Sequence, residues 1–478
     1  MTGYWSLLPE VLLVAAAIVA LFGEYLPGRD RGAALLGAAA AAAAAVLVAV
    51  APLGRPLFGG VLAYDAIARY GRVAIPALTA IWLLWVAGRG TGAYRSREAV
   101  SLALFAAAGG MLLTSARDLV MFFMAVELST MPVYVLVGYR RRDVAGLEGT
   151  LKYFLLSMLT SLVMLYGLSF VYGLTGSTSY PDVFLWGKGL LGTVAAVLVL
   201  TGLLAKLSAA PFHYWAPDAY AGAPAWSIAF VSTVPKIAGT IAAVRLVVAL
   251  GPSEMTFGFV IAIAALASMI LGNFAALPQE DVRRLMAYSG VAHTGYVLIG
   301  LAAGVMGPAG YREAVFYAVA YAVPSLGIML VAAEAGTSLG DLHDLAVRRP
   351  WLAWSTVLFL LSLIGIPPLV GFFGKLSVFG AGLRAGLLWL VIAGVITSVV
   401  SAGYYFRIVR AMFLTGGRAD STEDDAAEVV ASDVDHVAAA APVRSFAASA
   451  AFVLLAVATL GMGIAASPLL ASLASALH

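Results

Sequence analysis

The sequence predicts an all-α protein that crosses a membrane many times. Three observations carry this reading. Charged residues make up 11% of the 478 and hydrophobic residues 62%, where a soluble globular chain carries roughly 25% charged residues. Mean hydropathy is +0.97. The apolar runs are continuous over the length of about 20 residues that a membrane helix needs, and do not alternate over about ten residues as barrel strands do.

A pass along the chain gives about fourteen spans. They fall near 8–26, 32–52, 69–88, 99–116, 118–139, 151–173, 190–208, 226–250, 256–276, 285–304, 312–335, 351–381, 386–412 and 446–472. The opening MTGYWSLLPEVLLVAAAIVALFGEYL lacks a basic leader and a clear cleavage site, so it reads as a retained first helix. The stretch 209–225 (APFHYWAPDAYAGAPA within it) is too proline-rich for a clean span, and 351–381, with GIPPLVGFFGK, is too long and broken for one plain helix.

Arginines set the topology. Arg29/Arg31, Arg89/Arg95/Arg97, Arg140/Arg141/Arg142, Arg283/Arg284 and Arg348/Arg349 follow the first, third, fifth, ninth and eleventh spans. Basic loops face the cytoplasm, which places both termini on the non-cytoplasmic side. Residues 413–444 form an acidic cytoplasmic loop with seven acidic side chains, either a solvated tether or a docking site for a neighbouring subunit. The breaks after Lys206 and before Lys375 stand about five spans apart. Paired interrupted helices of this kind point to a transport site, and an odd separation implies two inverted repeats.

Four of the five lysines carry the chemistry. Lys152, Lys206, Lys236 and Lys375 each interrupt an apolar run, while most of the 23 arginines lie in polar gaps. An intramembrane charge costs about 2.5–3.5 kcal/mol on insertion scales and marks function by default. A desolvated lysine can exchange its proton, and arginine cannot. Lys206 precedes a break, where freed carbonyls recruit water. Lys236, after Pro235, is placed to take its proton; His213 in the intervening break is either a relay between them or a hydrogen-bonded structural residue of an interfacial loop. Glu127, deep in the fifth span, is the expected partner for a lysine; the plainer reading is a glutamate satisfied by a local hydroxyl or facing a neighbouring subunit. Lys152 lies near the cytoplasmic end of its span, where it can snorkel instead. His293, in LMAYSGVAHTGY, is either part of a hydrated stripe with serine and tyrosine or a packed core histidine. Lys375 would end the path toward the other side.

Other classes are excluded. Cysteine is absent, so disulfides, cysteine-ligated iron–sulfur clusters and thiol chemistry are out. Five scattered histidines argue against a metal site. A net charge of +3 gives no reason to expect nucleic acid.

The blocks ELSTMPVYVLVGYRRRD, LKYFLLSMLTSLVMLYGLSFVYG, KLSAAPFHYWAPDAYAGAP, STVPKIAG, RRLMAYSGVAHTGY and GIPPLVGFFGKLSVF resemble the antiporter-like subunit N of bacterial respiratory complex I, the proton-pumping NADH–quinone oxidoreductase. The likeness spans nearly the whole chain. The core is shared with subunits L and M and with multisubunit cation/proton antiporters. The resemblance implies fourteen helices with two inverted five-helix repeats: 1–98 for helices 1–3, 99–250 and 256–412 for the repeats, and 445–478 for the last helix. By motif match, Glu127, Lys206, Lys236 and Lys375 take the family's positions on the fifth, seventh, eighth and twelfth helices. Ala221 stands where many members have glutamate, which removes a loop acid. The resemblance further implies proton translocation in the inner membrane of a bacterial cell, within a hetero-oligomer of complex I membrane subunits. No redox cofactor is expected on this chain, with NADH, FMN, iron–sulfur clusters and quinone on partners. The alternatives are an antiporter subunit and a purely structural assembly subunit.

Overall fold

The architecture was obtained as a computed structural model, which describes residues 4–474 apart from 24–28, 55, 90–95, 140–143, 186, 252–253, 308 and 415–444. The acidic loop and Arg95 and Arg140–Arg142 therefore lie outside the described residues. The regular structure described is helical, with isolated bridges only. The helices are α1 (Leu8–Leu21), α2 (Asp30–Val50), α3 (Ala66–Arg89), α4 (Ser96–Ser115), α5 (Leu119–Val137), α6 (Val144–Thr175), α7 (Gly189–Lys206), α8 (Trp215–Gly222), α9 (Ala225–Val231) and α10 (Val234–Leu250). There follow α11 (Glu254–Ala276), α12 (Val282–Met306), α13 (Tyr311–Ala335), α14 (Leu345–Arg348), α15 (Pro350–Ile364), α16 (Val370–Arg384), α17 (Leu388–Phe413), α18 (Phe446–Ile464) and α19 (Ala466–Ala474).

Among the described residues, 12 helices are long and apolar enough to cross a membrane, or 13 if the pair Gly340–Arg348 and Pro350–Ile364, bent by 116°, is one span. Two of the expected fourteen account for the difference. The first is a shorter apolar helix, Trp5–Leu21. The expected span 351–381 is two 15-residue helices, α15 and α16, because Pro367 and Pro368 have no N–H to continue the ladder. The expected break after Lys206 is also present: α7 ends there, and residues 207–214 are turns. Sequence reading did not anticipate a third interruption, at Ser232–Thr233 between α9 and α10.

α12 and α13 form the centre. The most apolar stretch of α13 is 100% buried inside the protein and that of α12 83%, while α17 and α18 reach only 39% and present the rest outward. An apolar helix with no amphipathic stripe is what a position surrounded by other helices requires.

The starts of α5 and α12 are built alike. Asp118 caps α5 through the N–H groups of Val120 and Met121, and Asp281 caps α12 through Arg283 and Arg284. Asp118 pairs with Ser179 and Asp281 with Ser338 in isolated bridges. Leu119 donates to the Thr178 carbonyl at 2.8 Å, as Val282 donates to Thr337 at 2.7 Å. Tyr180 donates to the Arg117 carbonyl, as Leu339 does to that of Glu280.

Candidate functional site

The site begins on α5, where Glu127, Thr130 and Tyr134 share one face by their spacing of three and four residues. Ser157 and Ser161 share a face of α6 for the same reason. Lys206, the last residue of α7, reaches both. Its Nζ donates to Ser157 Oγ at 2.9 Å, Tyr134 OH at 3.1 Å and Thr130 Oγ1 at 3.4 Å. It lies 3.6 Å from Glu127 Oε1, which accepts from Ser161 at 2.8 Å. Both readings of Glu127 thus hold together: it meets a lysine and a local hydroxyl.

The break after Lys206 leaves carbonyls to satisfy. Pro211 has no N–H for the Leu207 carbonyl, and Thr294 Oγ1 on α12 donates to it at 2.8 Å. Trp215 Nε1 donates to Ala205 O at 3.1 Å. The second break repeats the device. Pro368 has no N–H for Ile364 O, and Lys375 Nζ donates to that carbonyl at 2.9 Å and to Ser398 Oγ at 2.7 Å. The proline that interrupts the helix thereby creates an acceptor for the buried lysine.

A cavity of about 30 Å³ has both Lys206 and Lys236 in its wall, with Ser129, Thr130, Ser208 and Tyr220. That is room for roughly two waters, since one needs about 10–15 Å³ measured this way. Lys236 is 6% exposed and donates to the Gly290 carbonyl at 3.0 Å. Its Nζ lies 5.3 Å from the ring centre of Tyr321, whose hydroxyl has no partner among the described residues. The Tyr321 ring sits 4.6 Å from that of His293. His293 Nδ1 contacts Tyr317 OH at 2.7 Å and its Nε2 contacts Tyr405 OH at 3.2 Å. The Tyr296 ring lies 5.5 Å from His293, edge on, and 5.3 Å from Lys375 Nζ. Lys206, Lys236, His293 and Lys375 thus form one row, stepped by hydroxyls and rings.

Two expected members stand apart from the row. Lys152 has a side chain 45% exposed and pairs with Glu148 at 2.7 Å and Asp218 at 2.8 Å. Its surroundings are those of an interfacial ion network that also includes Arg284. His213 is buried and stacks on Tyr214, its Nδ1 without a partner among the described residues, and it does not line the cavity between the two lysines. Arg245 is paired with Asp65 and donates from Nε to Thr114 O at 2.6 Å.

Sequence reading placed serine and tyrosine beside His293 on its own helix but missed the hydroxyl and ring partners that other helices supply. Ser157/Ser161 and Tyr317/Tyr321 at four-residue spacing in apolar runs were the available signal. It also missed Gly290. A Cβ there would stand 2.6 Å from Lys236 Nζ and 3.0 Å from Tyr321 OH. The lysine tip can swing away, so Gly290→Ala should fold and assemble while displacing the ammonium from its carbonyl. A charge-assisted bond is worth about 1.5–3 kcal/mol, so proton translocation should fall roughly tenfold or more at normal assembly. Pumping assays on vesicles with the Gly290→Ala variant check this; unchanged pumping refutes the importance of the Lys236–Gly290 contact.

A polytopic helical membrane protein with a buried row of ionisable groups joining two broken helices is, as a class, a membrane transport protein. Residues 116–401 match the family described as NADH:quinone oxidoreductase/Mrp antiporter, transmembrane. NADH-quinone oxidoreductase subunit N of Rubrobacter xylanophilus is 38% identical over 427 residues, 86% of this chain and 88% of that protein. Its counterpart in Sphingopyxis alaskensis is 37% identical over 85% and 87%. A chain of respiratory complex I from Thermus thermophilus, solved with bound aureothin, superposes with a TM-score of 0.79 at 29% identity, covering 97% of this chain and 98% of that one. A chain of the Mrp complex from Dietzia sp. DQ12-45-1b shares the fold, with a TM-score of 0.78 at 24% identity over 98% and 94%. The chain belongs to the NADH:quinone oxidoreductase/Mrp antiporter transmembrane family, among its subunit N members. Among the described residues no group of three or more histidine, aspartate or glutamate side chains could hold a metal ion.

Proposed function

We propose that this chain is a proton-translocating membrane subunit of a bacterial NADH–quinone oxidoreductase, non-redox itself and driven by quinone reduction on other subunits. The single observation that carries the reading is the row itself: Lys206 within 3.6 Å of Glu127, a cavity shared with Lys236, and rings linking Lys236 through His293 to Lys375. Glu127 supplies the counter-charge that makes an ammonium tolerable at Lys206. When the carboxylate withdraws, the desolvated ammonium is costly and its proton leaves through the cavity to Lys236. Tyr321, His293 and Tyr296 carry it on toward Lys375, and the returning Glu127 carboxylate again favours the ammonium, so that Lys206 takes a new proton from water entering the site. Lys152 serves at the cytoplasmic mouth, in its ion network with Glu148 and Asp218.

In this reading α4–α10 (99–250) and α11–α17 (256–412) are inverted repeats, following helices 1–3 (1–98) and preceding the loop 413–444 and the last helix (445–478) of a fourteen-helix chain. The matched caps of Asp118 and Asp281 support it. They lie before the second helix of each repeat, and on opposite membrane faces if the arginine-rich loops are cytoplasmic. Both termini are then non-cytoplasmic in the inner membrane. NADH, FMN, iron–sulfur clusters and quinone belong to partner subunits, with which this chain forms a hetero-oligomer in the bilayer.

Tagged chain isolated in mild detergent should bring down an assembly with flavin and iron–sulfur absorbance that acidifies vesicles on adding NADH and quinone. Recovery as an active, sodium-dependent exchanger with no redox subunits would replace this reading with that of an antiporter subunit.

A further inference from the structure

Far from the lysine row, the start of α1, the end of α2 and the start of α3 meet at one face of the membrane domain around a cleft of about 300 Å³. Its wall is partly apolar and outward-facing: Leu8, Leu47 and Leu53 are all exposed, Leu53 at 52%. Trp5 stands at its rim, 72% exposed, in the amphipathic position that tryptophan takes at a membrane surface.

Among the described residues, the charges around this cleft do not cancel. Arg72 is matched by Glu10, Nε to Oε1 at 2.7 Å and Nη2 to Oε2 at 2.8 Å. Asp65 is matched by Arg245. Arg69 also lines the cleft, and among the described residues its side chain has a single partner, the Ala51 carbonyl. One guanidinium with spare donors therefore sits beside exposed leucines in a hollow of ligand size.

We infer that this cleft binds a glycerophospholipid, its phosphate on Arg69 and an acyl chain along Leu8 and Leu47. Guanidinium and phosphate pair through parallel N–H···O bonds, and a phosphate diester on two acyl chains supplies both halves of what the cleft offers. A protein partner would need a carboxylate for Arg69 and an apolar segment for the leucines at once. The inference concerns lipid only and stands or falls apart from proton translocation.

A photoactivatable phosphatidylglycerol, incorporated into membranes holding the intact assembly, tests it. Label should map to peptides containing Trp5–Pro9 and Leu47–Leu53 in the native chain. The purified Arg69→Gln assembly should lose about one tightly held phospholipid per complex in native mass spectrometry, and Arg69→Lys should keep part of it. Leu53→Trp, which fills the hollow without touching the charge, should lose it too. Label confined to other helices overturns the inference, as does equal phospholipid retention in all four proteins. A photoreactive residue at position 53 that crosslinks to a neighbouring subunit instead of to lipid also overturns it.

Discussion

Lys206→Arg should abolish proton translocation nearly as completely as Lys206→Ala, by roughly 10²-fold or more, the scale of a lost proton-transfer group. Arginine keeps the positive charge opposite Glu127, yet it does not release a proton under accessible conditions. Its planar fork also fits poorly where the lysine ammonium meets three hydroxyls, those of Thr130, Tyr134 and Ser157. Glu127→Gln should damage pumping as well, because the ammonium then loses its carboxylate partner. The measurement is acidification of reconstituted vesicles driven by NADH and a quinone. NADH oxidation by an artificial acceptor serves as a control for intact partner subunits. If Lys206 is only a structural cation for Glu127, arginine restores most of the pumping and alanine does not. Normal pumping by the arginine variant would falsify the proton-exchange role.

The second large effect lies at the other end of the molecule and concerns stability. Glu10 and Arg72 are each 4% exposed and meet in a two-pronged pair. Arg72 also donates to Ser6 O at 2.6 Å and lies 3.9 Å above the ring of Tyr64. Removing one member of a buried pair leaves an uncompensated charge and costs about 3–5 kcal/mol, whereas replacing both by apolar residues of similar volume is often neutral. Stability of about 5–15 kcal/mol in ordinary domains leaves little room for such a loss. Arg72→Met should therefore lower the thermal midpoint of the purified assembly and its yield in membranes, and Arg72→Met with Glu10→Met should recover most of both. An unchanged midpoint in the single variant, or a double variant as unstable as the single, would show that the pair carries no such charge penalty.

Many residues of the proposed proton path are legible in the sequence. Glu127, Lys206, Lys236 and Lys375 stand out because each puts a charge inside a run that is otherwise apolar, and that is a one-dimensional property. The breaks are legible because Pro211, Pro367 and Pro368 lack a donor wherever the chain goes. Arg72 is harder to see. It lies within the third span, but its partner Glu10 is 62 residues away, and nothing local announces the match. The same holds for Tyr321, His293 and Tyr405, which come from three helices. Lys152 is the ambiguous case: it interrupts an apolar run yet lies near the cytoplasmic end of its span, and the structure places it with Glu148 and Asp218, its side chain 45% exposed.

The sequence by itself determined that this chain spans a membrane as helices, that two of those helices break at Pro211 and at Pro367–Pro368, and which apolar runs carry a titratable group. These follow from transfer energies, missing N–H groups and side-chain chemistry, all of which belong to single residues or short runs. Only the tertiary structure decided which of those groups share a cavity, which hydroxyls and rings bridge them, and which charges are cancelled. Such contacts depend on the rotation and depth of one helix against another. α13, apolar on every side, packs nearly any face inward equally well as far as its own sequence is concerned, so Tyr317 and Tyr321 reach His293 only because the surrounding helices hold α13 in one orientation.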